Sequence, residues 1–485
     1  MATEVPQIGI LSYAAYLPHW RLRHREISTG QNSGSSATRS VASYDEDTTT
    51  MAVQAARLAL EASPRRPLVQ QLYFSTVEPA YIDRTNATAI HAALGLPPSV
   101  LAADMLGSIR SGVSALAAAT AVASGGLSTL VTLSDTRSGL PGSADERSGG
   151  DAAVAFVIGP GSDRAPVLAE HITTKHMTAE FLDRWRAPGS SHSQTWEDRF
   201  GENNYLPLAL DVFSDALIAA GLGRDQIDAL VVCGSHDRAV KRLRAQSGVR
   251  AEAIVEDFSR IIGNPGTAQP GVLLADALDR AEPGHLIAVV TLADGASASI
   301  WRTTDAISGR RANVTVSDQI SGASAAVGYT TFLTWKGQLR RDPPRRPDPA
   351  PSNPPSSARS TDWKFGLVAS QCLRCGMRHL PPTRVCWQCR TTDRMTTERV
   401  SSANGTIATF SVDHLAHTPH PPLVVAVIDL DGGGRFSCEM TDVEAAEVAV
   451  GDRVEMTFRR LTTTAGIHNY FWKARPASRI VSEEV

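Results

Sequence analysis

The chain has 485 residues, enough for several domains, and its 42% hydrophobic and 20% charged content is that of ordinary globular folding. A formal net charge of −3 offers no electrostatic reason for a nucleic-acid or anionic-membrane partner. No apolar run reaches the roughly 18 residues of a membrane span, no signal-peptide pattern opens the chain, and four of the six cysteines cluster, so a reduced, cytoplasmic protein with one metal site is expected.

In chain order, "YDED" (Tyr44 to Asp47) before "TTTM" reads as the charge and cap cluster of a helix N-terminus, with no chemistry assigned. "QQLYFSTVEP" reads as a strand. "LAADMLGSIRSGVSALAAATAVASGG" reads as strand, tight turn and a helix of small residues, which is buried when other backbone packs close to it. Strands "TLVTLSD" and "GGDAAVAFVIG" follow. The order then repeats: strand "DALVVCGSHD", turn and helix "IIGNPGTAQPGVLLADALDRAEPG", strands "LIAVVTL" and "GASASIWRT". Continuous apolar strands belong to sheets covered on both faces. Two such halves, 1–170 and 171–339, packed back to back make a duplicated five-layer α/β/α/β/α domain. That symmetry predicts that the ends of "STVEP" and "GSHD" face one another, and that the turns "GSIRSG" and "GNPGTA" do the same.

Residues 340–362, rich in Pro, Ser and Arg, read as an extended linker or as a strap lying on a surface. Beyond them, 363–392 hold Cys372, Cys375, Cys386 and Cys389 in the spacing C-x2-C-x10-C-x2-C. Two such knuckles place four thiolates tetrahedrally on one ion, a full ligand set and therefore a structural metal, with zinc commoner than iron. Residues 393–485 alternate in short segments separated by turn signals, the pattern of a small five-stranded all-β barrel. Arg459, Arg460, Lys473 and Arg475 stand there beside aromatics, as solvated charges on a packed barrel or as a face toward an adenine nucleotide.

The ordered set "YDEDTTTMAVQAARLAL", "STVEPAYIDRTNATAIHAALGL", "DMLGSIRSGVSAL", "GSHDRAVKRLRAQSG" and "IGNPGTAQPGVLLADALDRAEPG" resembles the thiolase superfamily, within it the hydroxymethylglutaryl-CoA synthase-like branch, over residues 1 to about 340. The C-terminal part resembles the zinc-ribbon/OB-fold acyl-CoA-associated proteins that accompany thiolase-like enzymes. The resemblance implies a coenzyme A thioester substrate, an acyl-CoA or acyl-carrier protein partner, and a homodimer. In that family a cysteine at the N-terminus of the central helix attacks the thioester; the family spacing, laid on Asp104 and Gly112, puts Ile109 there.

The same resemblance assigns His236, followed five residues later by Lys241, as the base or carbonyl-polarising group, and Asn264 as its oxyanion partner. Glu78 stands near the family's catalytic glutamate, a residue or two out of register. Lys241 and Arg110 are candidates for substrate phosphate or carboxylate, or else solvated or capping groups. Ser108 is an N-cap or a substitute nucleophile. Cys233 reads as a small buried strand residue, with a relocated nucleophile as the other reading. Three functions follow: an acyltransferase-type enzyme on acyl-CoA or acyl-carrier thioesters without the usual cysteine, a retro-aldol or retro-Claisen lyase, and a non-catalytic acyl-CoA-binding scaffold.

Overall fold

A computed structural model describes residues 7–27, 35–63, 65–322, 324–342 and 349–477. The chain divides into two compact units, one drawn from 1–42, 47–88 and 97–329, the other from 43–46, 89–96 and 330–485.

The first unit is built on strands β1 (Ile8–Tyr16), β2 (Gln71–Thr76), β3 (Leu101–Leu106), β4 (Thr129–Asp135), β5 (Ala152–Pro160) and β6 (Ala169–Thr178), then β7 (Ala229–Gly234), β8 (Leu286–Leu292) and β9 (Gly295–Thr303). They hydrogen-bond in the order β7-β8-β9-β6-β1-β5-β4-β2-β3. The duplication is visible in this order. β2 runs parallel to β3 and β4, while β5 is antiparallel to β4 and β1. In the second half β7 runs parallel to β8, and β9 is antiparallel to β8 and β6. The counterpart of β3 has shrunk to a single parallel bridge, Leu230 with Ile254. Among the strands named here, the two halves of the sheet are joined where Gly9 and Ile10 pair with Glu170 and Ala169.

Helix α1 (Thr48–Glu61) is nearly all buried, and its start is fixed by a capping box between Asp47 and Thr50. The middle layer holds α2 (Arg110–Ala123) and α5 (Gln269–Arg280); between them in the chain come α3 (Asp198–Ala220) and α4 (Asp237–Gln246), which cover the second half. α2 buries Gly112, Ala115, Ala119 and Ala123, one stripe at helical spacing. α5 is buried on every side, and a Cβ at Gly271 would lie 2.4 Å from Val154 Cγ1, so only glycine lets it approach β5. The five expected layers are therefore α1, first-half sheet, α2 with α5, second-half sheet, α3 with α4.

In the second unit, the stretch expected to be an extended linker contains α6 (Pro354–Arg359) and α7 (Thr361–Lys364); residues 343–348 of it lie outside the described residues. The Asn353 side chain accepts from Ser356 N at 3.2 Å, which starts α6. β10 (Val368–Cys372), β11 (Arg378–His379) and β12 (Met395–Arg399) carry the cysteine ribbon. β13 (Asn404–Asp413), β14 (Leu423–Leu430), β15 (Arg435–Glu439), β16 (Arg453–Thr464) and β17 (Ile467–Pro476) form a sheet in the order β15-β14-β13-β16-β17. A bridge from Met440 to Ala474 closes it into a barrel.

The basic residues of this barrel correct the sequence reading. Arg459 and Lys473 are each 1% exposed, so they are neither solvated charges nor a nucleotide-facing surface. Arg459 pairs with Glu46 at 2.8 Å and with Asp442 at 2.5 Å; Lys473 pairs with Asp45 at 3.0 Å and Glu439 at 2.8 Å. The "YDED" stretch thus splits: Asp47 caps α1, while Asp45 and Glu46 belong to the second unit as buried counter-ions.

Candidate functional site

The fixed point of the site is Asp135, the last residue of β4. It is fully buried and accepts from Thr76 Oγ1 (2.8 Å), Val77 N (2.8 Å) and Thr267 N (2.7 Å). One carboxylate thereby holds the end of β2 in the first half against the turn before α5 in the second. Burial pushes its pKa up, against Arg137 and these donors. The α2 turn meets the same turn: a Cβ on Gly112 would lie 2.9 Å from Thr267 O and Cγ2. This is the approach that symmetry predicted for "GSIRSG" and "GNPGTA".

Ile109 is the N-cap residue of α2 and is 5% exposed, an aliphatic group in the position where a thiol would meet the helix dipole. Ser108 Oγ accepts from Arg110 N at 3.2 Å, and Ser111 Oγ donates to Leu106 O at 2.9 Å. Both hydroxyls serve the turn. The Arg110 guanidinium reaches Asp294 O (2.5 Å), Thr178 Oγ1 (2.7 Å) and Ala293 O (3.3 Å), tying α2 to β6 and the β8–β9 turn. Cys233 is fully buried and its thiol is pushed up to about 12 by that burial, which fits the reading of a small buried strand residue.

His236 follows β7 and caps α4: its Nδ1 accepts from Ala239 N at 3.2 Å. That fixes the neutral tautomer with the proton on Nε2, and Nε2 is buried with no hydrogen-bond partner among the described residues. The ring lies against α3, where a Cβ on Gly201 would come within 2.6 Å of Nε2; the Tyr205 ring stands 6.0 Å away. Behind it, Tyr205 donates to the largely buried Asp183 at 3.0 Å. Asn264 is bound to the same strand end. Its Nδ2 donates to Gly234 O at 2.8 Å, and its Oδ1 accepts from Gly266 N at 2.9 Å. His236 and Asn264 are thus brought together through the Gly234–His236 segment, and one Asn264 amide hydrogen stays uncommitted.

The Glu78 carboxylate is held by Arg186, whose other nitrogen donates to Val77 O, and no hydrogen bond joins Glu78 to His236 or Asn264 among the described residues. Lys241 is exposed on α4 beside Arg238 and Arg242, which pair with Glu202. The sequence reading passed over Asp135, Arg137, Arg184 and Arg186. The polar pair Ser134–Asp135 ending an apolar strand was the available signal for the first.

The four cysteine sulfurs lie within 4.8 Å of one another, with Cys372 to Cys389 at 3.6 Å and Cys375 to Cys386 at 3.5 Å. Those separations are far beyond a disulfide bond and match thiolates sharing one tetrahedral ion. Each knuckle ends alike: Gly376 N donates to Cys372 O and Arg390 N to Cys386 O, both with positive φ. The residues present fit a structural zinc, and the described residues include no helix long and apolar enough to cross a membrane.

Comparison with known proteins agrees with this division. A family model described as the ChsH2 C-terminal OB-fold domain matches residues 398–459. The hydroxymethylglutaryl-CoA synthase of Methanothermobacter thermautotrophicus is 28% identical over 346 residues, 68% of this chain and 99% of its own. That of Pyrobaculum neutrophilum is 29% identical over 353 residues, 69% of this chain and 98% of its own. Among solved structures, MvaS in complex with 3-hydroxy-3-methylglutaryl coenzyme A superposes with a TM-score of 0.59 at 20% identity, over 81% of this chain and 99% of that one. PksG, an HMG-CoA synthase from Bacillus subtilis, gives 0.57 at 17% identity, over 68% and 89%. The first unit therefore has the thiolase-like fold and is related in sequence to hydroxymethylglutaryl-CoA synthases, here joined in one chain to a four-cysteine ribbon and an OB-fold barrel.

Proposed function

We propose that this chain is an enzyme acting on acyl-CoA or acyl-carrier thioesters, forming a C–C bond or transferring an acyl group without a covalent acyl-enzyme. The observation that carries the reading is the state of His236. With Nδ1 committed to Ala239 N, the ring offers a buried, unpartnered Nε2–H donor. Such a donor, with the spare Asn264 amide hydrogen, polarises a thioester carbonyl and holds the enolate that forms when the α-carbon loses a proton or a carbon substituent. Ile109 offers no nucleophile, so the acyl group stays on its carrier until the acceptor attacks it. The relatives' name, hydroxymethylglutaryl-CoA synthase, and the CoA and acetyl donor-ACP held in complexes of structurally similar proteins support this substrate class.

Ile109 also favours a second reading, the lyase direction. There a base removes the proton of a β-hydroxyl group, the Cα–Cβ bond breaks, its electron pair becomes the enolate held at His236 and Asn264, and the α-carbon is then protonated. No cysteine takes part. The ribbon and barrel serve in either direction to hold the CoA carrier, with a zinc ion at Cys372, Cys375, Cys386 and Cys389. A homodimer is proposed through β3, the edge strand that exposes Leu101 by 56% and Leu106 by 36%.

The test compares the purified full chain with His236→Ala and Asn264→Ala on acyl-CoA condensation and on β-hydroxyacyl-CoA cleavage. Each variant should lose about 100-fold or more in turnover. Full activity in both variants refutes the assignment, and absence of turnover in both directions leaves the scaffold reading.

A further inference from the structure

The group that the proposed chemistry needs is covered. His236 Nε2 is buried without a hydrogen-bond partner among the described residues, and Gly201, in the first turn of α3, lies on it: a Cβ there would come within 2.6 Å of Nε2 and 2.4 Å of Cδ2. A thioester carbonyl cannot reach that nitrogen while Gly201 stays in place. A buried donor left unpaired is costly, so the covered arrangement favours exchange of Gly201 for an acceptor.

The start of α3 is built to give way. Pro207 stands inside the helix, has no N–H to return to the Asn203 carbonyl, and crowds that carbonyl with its ring. Ahead of it, Glu197 makes no side-chain cap, and Gly201 weakens the same first turn. Asn204 Nδ2 donates to Phe200 O at 2.8 Å, which keeps the first two turns as one piece. Next to the proline, Tyr205 is pinned by its bond to the buried Asp183. The outer face of the piece is held to α4, the helix that His236 caps, by ion pairs. Arg242 meets Glu202 at 2.7 Å, and Arg238 meets Glu202 at 3.5 Å and Asp198 at 3.7 Å. Both guanidiniums are more than half exposed, so these pairs are weak and screened by salt.

We propose that residues 198–204 are a lid over His236, hinged at Pro207 and latched by Glu202 to Arg238 and Arg242, which lifts to let a thioester carbonyl reach Nε2. The inference rests on the thioester reading of His236 and adds how access to that site is controlled. The apparent affinity for a thioester is then the intrinsic affinity reduced to the fraction of chains with the lid raised.

Calorimetric binding of acetyl-CoA to the full chain tests the lid, with two variants of opposite effect. Glu202→Gln releases the latch and should tighten binding about threefold. Pro207→Ala restores the bond to Asn203 and should weaken binding about threefold or more while raising the melting temperature, a pairing that a proline with no part in access would not give. Hydrogen exchange read by mass spectrometry should show residues 198–204 exchanging faster once acetyl-CoA is bound, with 208–220 unchanged. Equal affinities in the wild type and both variants, or exchange in 198–204 that acetyl-CoA leaves unchanged, overturn the lid and leave the thioester reading intact. Failure of acetyl-CoA to bind any of the three proteins overturns both.

Discussion

Gly112 of α2 packs directly against Thr267, with room for no side chain: a Cβ there would be 2.9 Å from the Thr267 carbonyl oxygen. The neighbour is backbone, and Asp135 accepts from the same residue's N–H, so the turn cannot retreat. Gly112→Ala should therefore cost about 1–3 kcal/mol through overpacking, read from urea unfolding midpoints. It should also lower turnover, because the turn that moves carries Asn264. Unchanged stability would mean that the two halves do not approach this closely.

The second unit offers a sharper stability test. Burial alone would raise the Asp45 carboxyl, but Lys473 and Arg459 outweigh it and hold it well below the usual carboxylate range. A depressed carboxyl contributes stability that is present above its unfolded value near 4 and is lost as pH falls below it. Lys473 is raised above its ordinary value despite burial, chiefly by Asp45, so its contribution is present below about pH 10 and is lost above it. Removing one partner strands the others: Arg459→Met should cost about 3–5 kcal/mol at neutral pH, and the loss should shrink toward pH 3. A flat pH dependence of that difference would refute the network.

These cases show what the sequence made legible. The duplicated order of strands, the α2 and α5 turns and the four cysteines could be read because each rests on local pattern or spacing: continuous apolar strands, small residues at helical intervals, paired knuckles. Arg459 and Lys473 could not, since their partners Asp45 and Glu46 lie about 400 residues away in the chain. Helix α6 was hidden by its prolines, which the helix tolerates in its first turn behind the Asn353 cap. Arg137 was passed over because an arginine after a strand resembles any surface charge until its place beside Asp135 is seen. The roles of His236 and Asn264 came from a resemblance; their contacts with Ala239, Gly234 and Gly266 came from the fold.

Metal content checks the ribbon. Purified protein should carry about one zinc per chain by elemental analysis, since the four sulfurs form a complete set. Cys375→Ser or strong chelation should lower thermal stability, because metal binding of this kind is coupled to folding. Iron in place of zinc, or a chain that melts identically without metal, would contradict the structural assignment.

Asp279 gives a pH dependence of opposite sign. It accepts from Tyr13 OH at 2.9 Å and from Val316 N at 2.9 Å, and burial pushes it up to about 6. A carboxyl raised in the fold contributes stability that is complete below its unfolded value near 4 and is lost as pH rises through 6. The swing is on the order of 3 kcal/mol. Asp279→Asn should remove that decline while keeping an acceptor for Tyr13, so variant and wild type should differ more at pH 8 than at pH 4. Equal differences at both values would sink the assignment.

Ile109→Cys tests how complete the rest of the site is. The residue caps the N-terminus of α2, where the helix dipole favours an anion, and a thiol is smaller than the aliphatic group it replaces, so the fold should lose only about 1 kcal/mol. If His236 Nε2–H and the Asn264 amide polarise a thioester carbonyl there, the new thiolate should attack that carbonyl, expel CoA and keep the acyl group. Intact mass after exposure to acetyl-CoA should then show one acetyl adduct on Ile109→Cys and none on the wild type. The adduct should weaken when His236→Ala is added, because the donor that stabilises the tetrahedral oxyanion is gone. An unmodified cysteine would show that the site has lost more than its nucleophile. An adduct on the wild type, at Ser108, would show instead that covalent transfer had moved by one residue.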